Sequence, residues 1–426
     1  MGNIKDGLFE FLEASKTAYH AVKNISDALD AAGYTELSET EAWSLTQGGK
    51  YYVVRDGSSI IAFRNMGGAF MISASHSDSP AFRVKNIAES APYIKLDVEK
   101  YGGLINYTWL DRPLTVAGRV AVRSEGGIEI KLADIGDKRV VIPSLAIHLN
   151  RTVNDSCKLS PTSDLIPLAS ITGGADVICA VAESIDKAPG DIVSYELILT
   201  SADKPVSVGL CDELVLSPRI DDLGAVYASL CGFLSSSDTA GVTPVLAVFD
   251  NEEVGSETKQ GAASTFLYDT LMRICGNECD YLTRVAASFM LSADNAHAKH
   301  PNHPELSDPK NAPVLGAGVV VKHNANQRYT TDAVSEAVFL SIAKAAGVGV
   351  QHYYNRADLP GGSTLGSIAN TKVPVSTVDI GVPQLAMHSA NETCALCDVE
   401  DMAKIMEVFY NTVISKGKDE IKITTK

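Results

Sequence analysis

The sequence predicts an α/β protein: a mixed open sheet with helices on both faces, interrupted by an inserted β-rich unit. Three observations carry that prediction. Uninterrupted apolar runs, Ala69-Phe70-Met71-Ile72 and Val245-Leu246-Ala247-Val248-Phe249 among them, suit strands buried on both faces. Stretches with apolar residues at helical spacing accompany those runs. Between about Asn86 and Asp212 the texture changes to strict apolar and polar alternation, the mark of half-buried antiparallel strands. At 426 residues the chain also exceeds what one hydrophobic core usually serves. The expected organisation is one α/β domain in two parts, 1–85 and 213–426, around a β-rich insertion at 86–212.

Taken in order, Leu8-Phe9 with Phe11-Leu12, then Tyr19, Val22 and Ile25, fit two amphipathic helices. Tyr51 to Val54 and Ser59 to Phe63, joined at Arg55-Asp56-Gly57-Ser58, predict a hairpin. The buried strand from Ala69 ends at Ser75-His76-Ser77-Asp78. In the insertion, Ile94, Leu96 and Val98 alternate with charged residues, as do Ile128, Ile130 and Leu132 after a turn at Glu125-Gly126-Gly127. Beyond Pro218 come a helix over Asp221 to Leu234, the strand before Asp250, and a helix from Ala262. Strands at Ala287 to Leu291 and Val373 to Val378 follow. Thr331 to Ala346 and Val399 to Ile414 predict amphipathic helices covering the sheet.

Composition narrows the function. A net charge of −16 argues against nucleic acid, which needs clustered Lys and Arg. No apolar run approaches membrane-spanning length, and the N-terminus lacks an apolar core of signal-peptide length, so a cytoplasmic protein without a membrane partner is expected. The eight Cys are scattered, and Cys394-Ala395-Leu396-Cys397 has no second pair to complete a structural zinc site; reduced thiols are expected.

The chemistry gathers at Asp250-Asn251-Glu252-Glu253. Adjacent carboxylates repel unless a cation or a shared proton offsets them, so a Glu pair leaving a buried strand asks for a metal. His76, the Asp250 cluster, Asp294 and His388 all fall past the ends of apolar strands, where open α/β sheets place their ligand crevices. Asp78, two residues beyond His76, points to the same side and can orient it. Asp221-Asp222 opens a helix, a position that a capping role alone would also explain. Histidine and carboxylate without thiolate suit zinc, manganese or cobalt, and five such ligands fit two metals sharing one Asp. Such a pair polarises a carbonyl and generates hydroxide. One Glu would bind metal and the other would act as general base. Other chemistries are poorly served. Gly316-Ala317-Gly318 lacks the third Gly of a dinucleotide loop, Gly48-Gly49-Lys50 lacks a P-loop's spacing, and Gly362-Ser363-Thr364-Leu365-Gly366 is not a nucleophile elbow.

Seven motifs, in order along nearly the whole chain, resemble those of the aspartyl aminopeptidase family, dinuclear zinc aminopeptidases. They are Ser75 to Pro80, Thr108 to Arg112, Ile142 to Arg151, Ser217 to Leu223, Asp250 to Ser256, Ser292 to Asn302 and Met387-His388-Ser389. The resemblance implies that Asp221 bridges two zinc ions, one also held by His76 and Asp294, the other by Glu253 and His388. Glu252 would be the general base and Asp78 the partner of His76. It further implies that the β-rich insertion mediates dimerisation and offers His148 to a neighbouring subunit's active site, within a hollow tetrahedral dodecamer. Lys322 is the candidate for holding an acidic substrate side chain, with His297, Gly362 and Ser363 also at the substrate site. Two positions depart from the family: Asp222 stands where many members carry Asn, and Gly361 where Cys is expected.

The function implied is removal of N-terminal residues, acidic ones above all, from peptides by a two-metal mechanism with zinc, cobalt or manganese. Alternatives are a related dinuclear hydrolase with neutral-residue or deacylase preference, and a non-catalytic oligomeric scaffold. The insertion and the His148 stretch favour the first, and an intact Glu252, without a metal to bind, argues against the last.

Overall fold

The computed structural model describes residues 4–90, 92–171, 176–359 and 361–425. Its centre is a nine-stranded mixed sheet. In spatial order the strands are Thr35–Glu36, Lys50–Arg55, Ser59–Arg64, Val242–Phe249, Ala69–His76, Phe289–Ala293, Ser376–Gly381, Val319–His323 and Val350–Tyr354. Helices cover both faces. Alternation along the strands sorts the core into two layers: Ile60, Ala62, Leu246 and Val248 pack with the Ile220–Ser235, Ala333–Ala345 and Leu396–Tyr410 helices. Ile61, Phe63, Val245 and Ala247 pack with Phe266–Cys275 and Glu278–Ala287 on the opposite side. Burial on both faces explains why these strands read as continuous apolar runs.

Three parallel neighbours set the site. Val242–Phe249 lies beside Ala69–His76 with Phe249 opposite His76, and Phe289–Ala293 flanks the same strand with Ser292 opposite Ala74. Their carboxyl ends therefore share one edge.

A six-stranded antiparallel sheet runs from Ala81 to Ser201 in sequence, with its own core around Phe82, Leu96, Trp109, Val116 and Leu197. A five-stranded sheet joins Val206–Val208 to Leu214–Ser217 and to Pro383–Leu385 and Glu392–Ala395. Among the described residues, no helix is long and apolar enough to cross a membrane.

Four local expectations are corrected. Ile128, Ile130 and Leu132 face outward, 55%, 61% and 36% exposed, because Gly127–Asp134 is an edge strand with only Ala133 turned into the core. The helix expected from Ala262 begins at Phe266, since bonds from Ala263 N to Ser256 O and from Ser264 N to Gly261 O hold the preceding stretch in turns. The strand expected from Val373 starts at Ser376, past Pro374, which lacks a ladder donor. The last long helix stops at Tyr410, and β-branched residues beyond it form a hairpin between Val413–Lys416 and Ile421–Thr424.

Candidate metal centre

His76 is the last residue of its strand, and Asp250 and Asp294 immediately follow theirs. Asp221 sits in the first turn of the Ile220–Ser235 helix with non-helical backbone, φ −83° and ψ 111°. Glu252 and Glu253 open a single 3₁₀ turn, Glu252–Val254, entered through Asn251 at φ 63°. Arg219 (φ 60°) and His388 (φ 67°) are also left-handed. Non-glycine residues rarely adopt that conformation, and its gathering at these corners aims the side chains at one point.

Two ligand clusters result, and Asp221 belongs to both. One comprises His76, Asp221, Asp222 and Asp294; the other Asp221, Glu253 and His388, each with its ligand atoms within 4.8 Å of one another. Asp221 turns one oxygen to each: Oδ1 is 3.4 Å from His76 Nε2, and Oδ2 is 3.6 Å from His388 Nε2. His388 Nε2 is 3.3 Å from Glu253 Oε2. Asp221 Oδ1, Asp222 Oδ1 and Glu253 Oε1 are buried without a hydrogen-bond partner in the protein. Buried carboxylate oxygens left bare beside imidazole nitrogens fit divalent cations.

Both imidazoles are held in the orientation a ligand needs. His76 Nδ1 lies 3.0 Å from the Asp78 carbonyl and 3.4 Å from its carboxylate. His388 Nδ1 lies 3.0 Å from the Gly103 carbonyl. With Nδ1–H donated outward, Nε2 is free for metal. Asp78 does more than orient His76: its carboxylate accepts the N–H groups of Glu252 (3.1 Å) and Glu253 (3.2 Å) and the Tyr101 hydroxyl (2.5 Å).

Electrostatics describe a centre that lacks positive charge. Burial pushes the Glu252 carboxyl up to about 8, against the pull of His76. Burial and then Asp221 raise Glu253 well above the ordinary range. Burial would lower His388, yet its bond to Asp221 and the charge of Glu253 carry it up to about 10. These shifts follow from clustering buried carboxylates and imidazoles, and a bound divalent cation would lower them.

A cavity of about 170 Å³ opens on this centre, lined by Glu252, His297, Lys322, Gly362 and Ser363, together with Tyr329 and Tyr353. Lys322 Nζ is buried and donates to the carbonyls of Asp294 (2.7 Å) and Asn295 (3.1 Å), 3.5 Å from Asp294 Oδ2. A larger cavity of about 420 Å³ lies across Asp78, lined by Tyr19, Arg119 and Asp250 among others, away from the imidazoles. Asp250 faces it, accepting from Gln260 at 3.2 Å. His148 is not among the residues lining either cavity; it sits in an exposed turn.

Three contributors escape a reading of the sequence. Asp222 accepts the His76 N–H at 3.2 Å, Tyr101 reaches Asp78 from the six-stranded sheet, and buried Glu392 accepts the N–H groups of Asp221 (2.8 Å) and His388 (2.6 Å). Only Asp222 carried a signal, its place beside Asp221.

The sequence profile of the family described as "Aminopeptidase I zinc metalloprotease (M18)" matches residues 11–410. A protein of Clostridium novyi named "Probable M18 family aminopeptidase 2" is 41% identical over 423 residues, covering 95% of this chain and 98% of that one. Among solved structures, the cryo-EM structure of the Ape4 and Nbr1 complex matches with a TM-score of 0.92 at 35% identity, over 96% of this chain and 85% of that one. The S. cerevisiae mApe1 dodecamer matches with a TM-score of 0.83 at 26% identity, over 95% of each chain.

Proposed function

Because this chain belongs to the M18 family of aminopeptidase I zinc metalloproteases, and is thus a peptide-hydrolysing aminopeptidase, we propose that it is a dinuclear enzyme removing N-terminal residues, acidic ones first. The observation that carries the two-ion reading is Asp221, shared by two ligand clusters with one oxygen turned to each. His76 and Asp294 complete one set and Glu253 and His388 the other. These sets would hold two divalent ions, zinc before cobalt or manganese, which when bound would supply Lewis acidity to the scissile carbonyl and the attacking water.

The chain's own residues do the rest. Glu252 lines the cavity and is outside both ligand clusters, and its raised pKa suits a group that takes a proton from the attacking water and returns it to the leaving amine. Asp78 fixes the backbone of both glutamates and the tautomer of His76. Lys322 sets positive charge at the cavity wall, which supports a preference for acidic side chains, beside His297, Gly362 and Ser363. His148 of a neighbouring subunit would stabilise the developing oxyanion. Its turn is exposed together with Leu145, Ile147 and Leu149, 59%, 45% and 74% accessible, an apolar surface suited to burial against a second copy. The insertion at 86–212 would thereby be the dimerising unit, and the dodecamer of the similar mApe1 supports an assembly of twelve chains, whose tetrahedral arrangement is part of the proposal.

Glu252→Gln tests the assignment. It retains metal content and assembly while peptidase turnover falls by about 10²–10⁴-fold, the usual worth of a general base. Wild-type turnover in that variant would remove Glu252 from the mechanism. A panel of aminoacyl substrates assayed with each metal reads the acidic preference directly.

A further inference from the structure

The Val319–His323 and Val350–Tyr354 strands form one edge of the nine-stranded sheet and run parallel, Val321 opposite His352 and His323 opposite Tyr354. Partners in register share a face, and positions two apart return to it. His323, His352 and Tyr354 therefore project together, toward the Ala333–Ala345 helix, whose Glu336 lies in its first turn. Three ligand atoms converge there. His352 Nδ1 is 3.2 Å from Glu336 Oε1, and His323 Nε2 is 3.5 Å from the same oxygen. The two ring nitrogens are 3.5 Å apart.

That triangle separates two readings. Two of its sides exceed the roughly 2.7–3.2 Å of a good N–H···O bond. A tetrahedron built on metal–ligand bonds of about 2.0–2.2 Å has edges of about 3.3–3.6 Å; two sides of the triangle fall in that range and the third, 3.2 Å, lies just below it. The separations also match those of His76 and His388 from Asp221, 3.4 and 3.6 Å, in the centre described above. The Tyr354 ring stacks on His323 with centroids 4.6 Å apart and planes 5° from parallel, which fixes the imidazole. The His352 side chain is 40% exposed, so an ion has a route in and a position left for water.

We propose that His323, Glu336 and His352 bind one divalent transition-metal ion, distinct from the centre at Asp221. Two imidazoles and a carboxylate select zinc, cobalt or nickel over magnesium or calcium. The net charge of −16 favours any cation at long range. The ion clamps the last two strands of the sheet to the helix, and so braces from behind the strand whose opposite face presents Lys322.

The test is ion counting on the full chain. Chelator-treated protein is equilibrated with zinc, freed of excess, and its zinc per chain measured by mass spectrometry. Glu336→Gln and His352→Gln should each lose one ion per chain relative to wild type. Asp221→Asn should lose ions from the other centre and keep this one, so the two assignments fail separately. In the wild-type chain, zinc should suppress diethylpyrocarbonate modification of the peptide bearing His352. Equal zinc content in wild type and both variants overturns the proposal. Modification of His352 that zinc leaves unchanged in the wild-type chain overturns it equally, whether or not a variant folds.

Discussion

Glu392 commits both carboxylate oxygens to backbone N–H groups, those of Asp221 and His388. One buried side chain thus positions the backbone of the shared ligand and of a ligand 167 positions further along the chain, as 388 − 221 gives. In Glu392→Gln one oxygen becomes an NH₂ facing a backbone N–H, and a buried donor is left unpaired. The expected loss is about 1–3 kcal/mol of stability, read by denaturant unfolding. Turnover should fall with KM little changed, because the ligands shift while the cavity wall does not. Little in the sequence marks Glu392, since its partners meet it only through the tertiary fold. His76, Glu252, Glu253 and Asp294 were legible because strand ends are visible as the stops of apolar runs. Asp78 was legible as a partner of His76, but its grip on the two glutamate N–H groups needed the turn at Asn251 to be seen.

At the scale of elements, strands buried on both faces announced themselves, whereas the edge strand Gly127–Asp134 misled, because alternation alone does not say which face is covered. Helix packing was equally silent. Gly232 lies where the Ile220–Ser235 helix meets Leu396–Tyr410, and a Cβ there would sit 2.4 Å from Met406 Cβ and 2.7 Å from Glu407 N. The helix that carries Asp221 in its first turn is seated by this close approach. Gly232→Val should therefore cost about 1–3 kcal/mol by overpacking. A thermal melt will show it, and an unchanged melting temperature would mean the two helices have room to part.

At the scale of the whole molecule, charge and assembly make separate predictions. Burial raises Asp250 to about 7 and Glu392 to about 8, while for His388 burial, which would lower it, is overcome by Asp221, Glu253 and Glu392 together, which raise it to about 10. Each folded value lies above the unfolded one, so the folded chain holds more protons and stability falls as pH rises. Chelator-stripped protein should lose melting temperature progressively between about pH 4 and pH 10, and zinc should restore it with release of protons. A profile that rises over that range would contradict the cluster's protonation. Assembly is tested by mixing. His148→Ala and Glu252→Gln, each inactive alone, should recover activity in hybrid oligomers, and no recovery after demonstrated subunit exchange would refute a shared site.

One contact joins these scales. The carbonyl of Gly103, next to a Gly102 whose φ of 73° would strain any other residue and whose Cβ would sit 3.2 Å from Glu253 Cβ, is what holds His388 in register. Both glycines follow directly on the Tyr93–Tyr101 strand of the six-stranded sheet. A trimmed chain carrying only the α/β part would keep every ligand in its sequence and still lose the carbonyl that fixes His388 Nδ1. The half of the chain that carries the ligands is consequently not portable: transplanting it to another scaffold means transplanting that glycine corner.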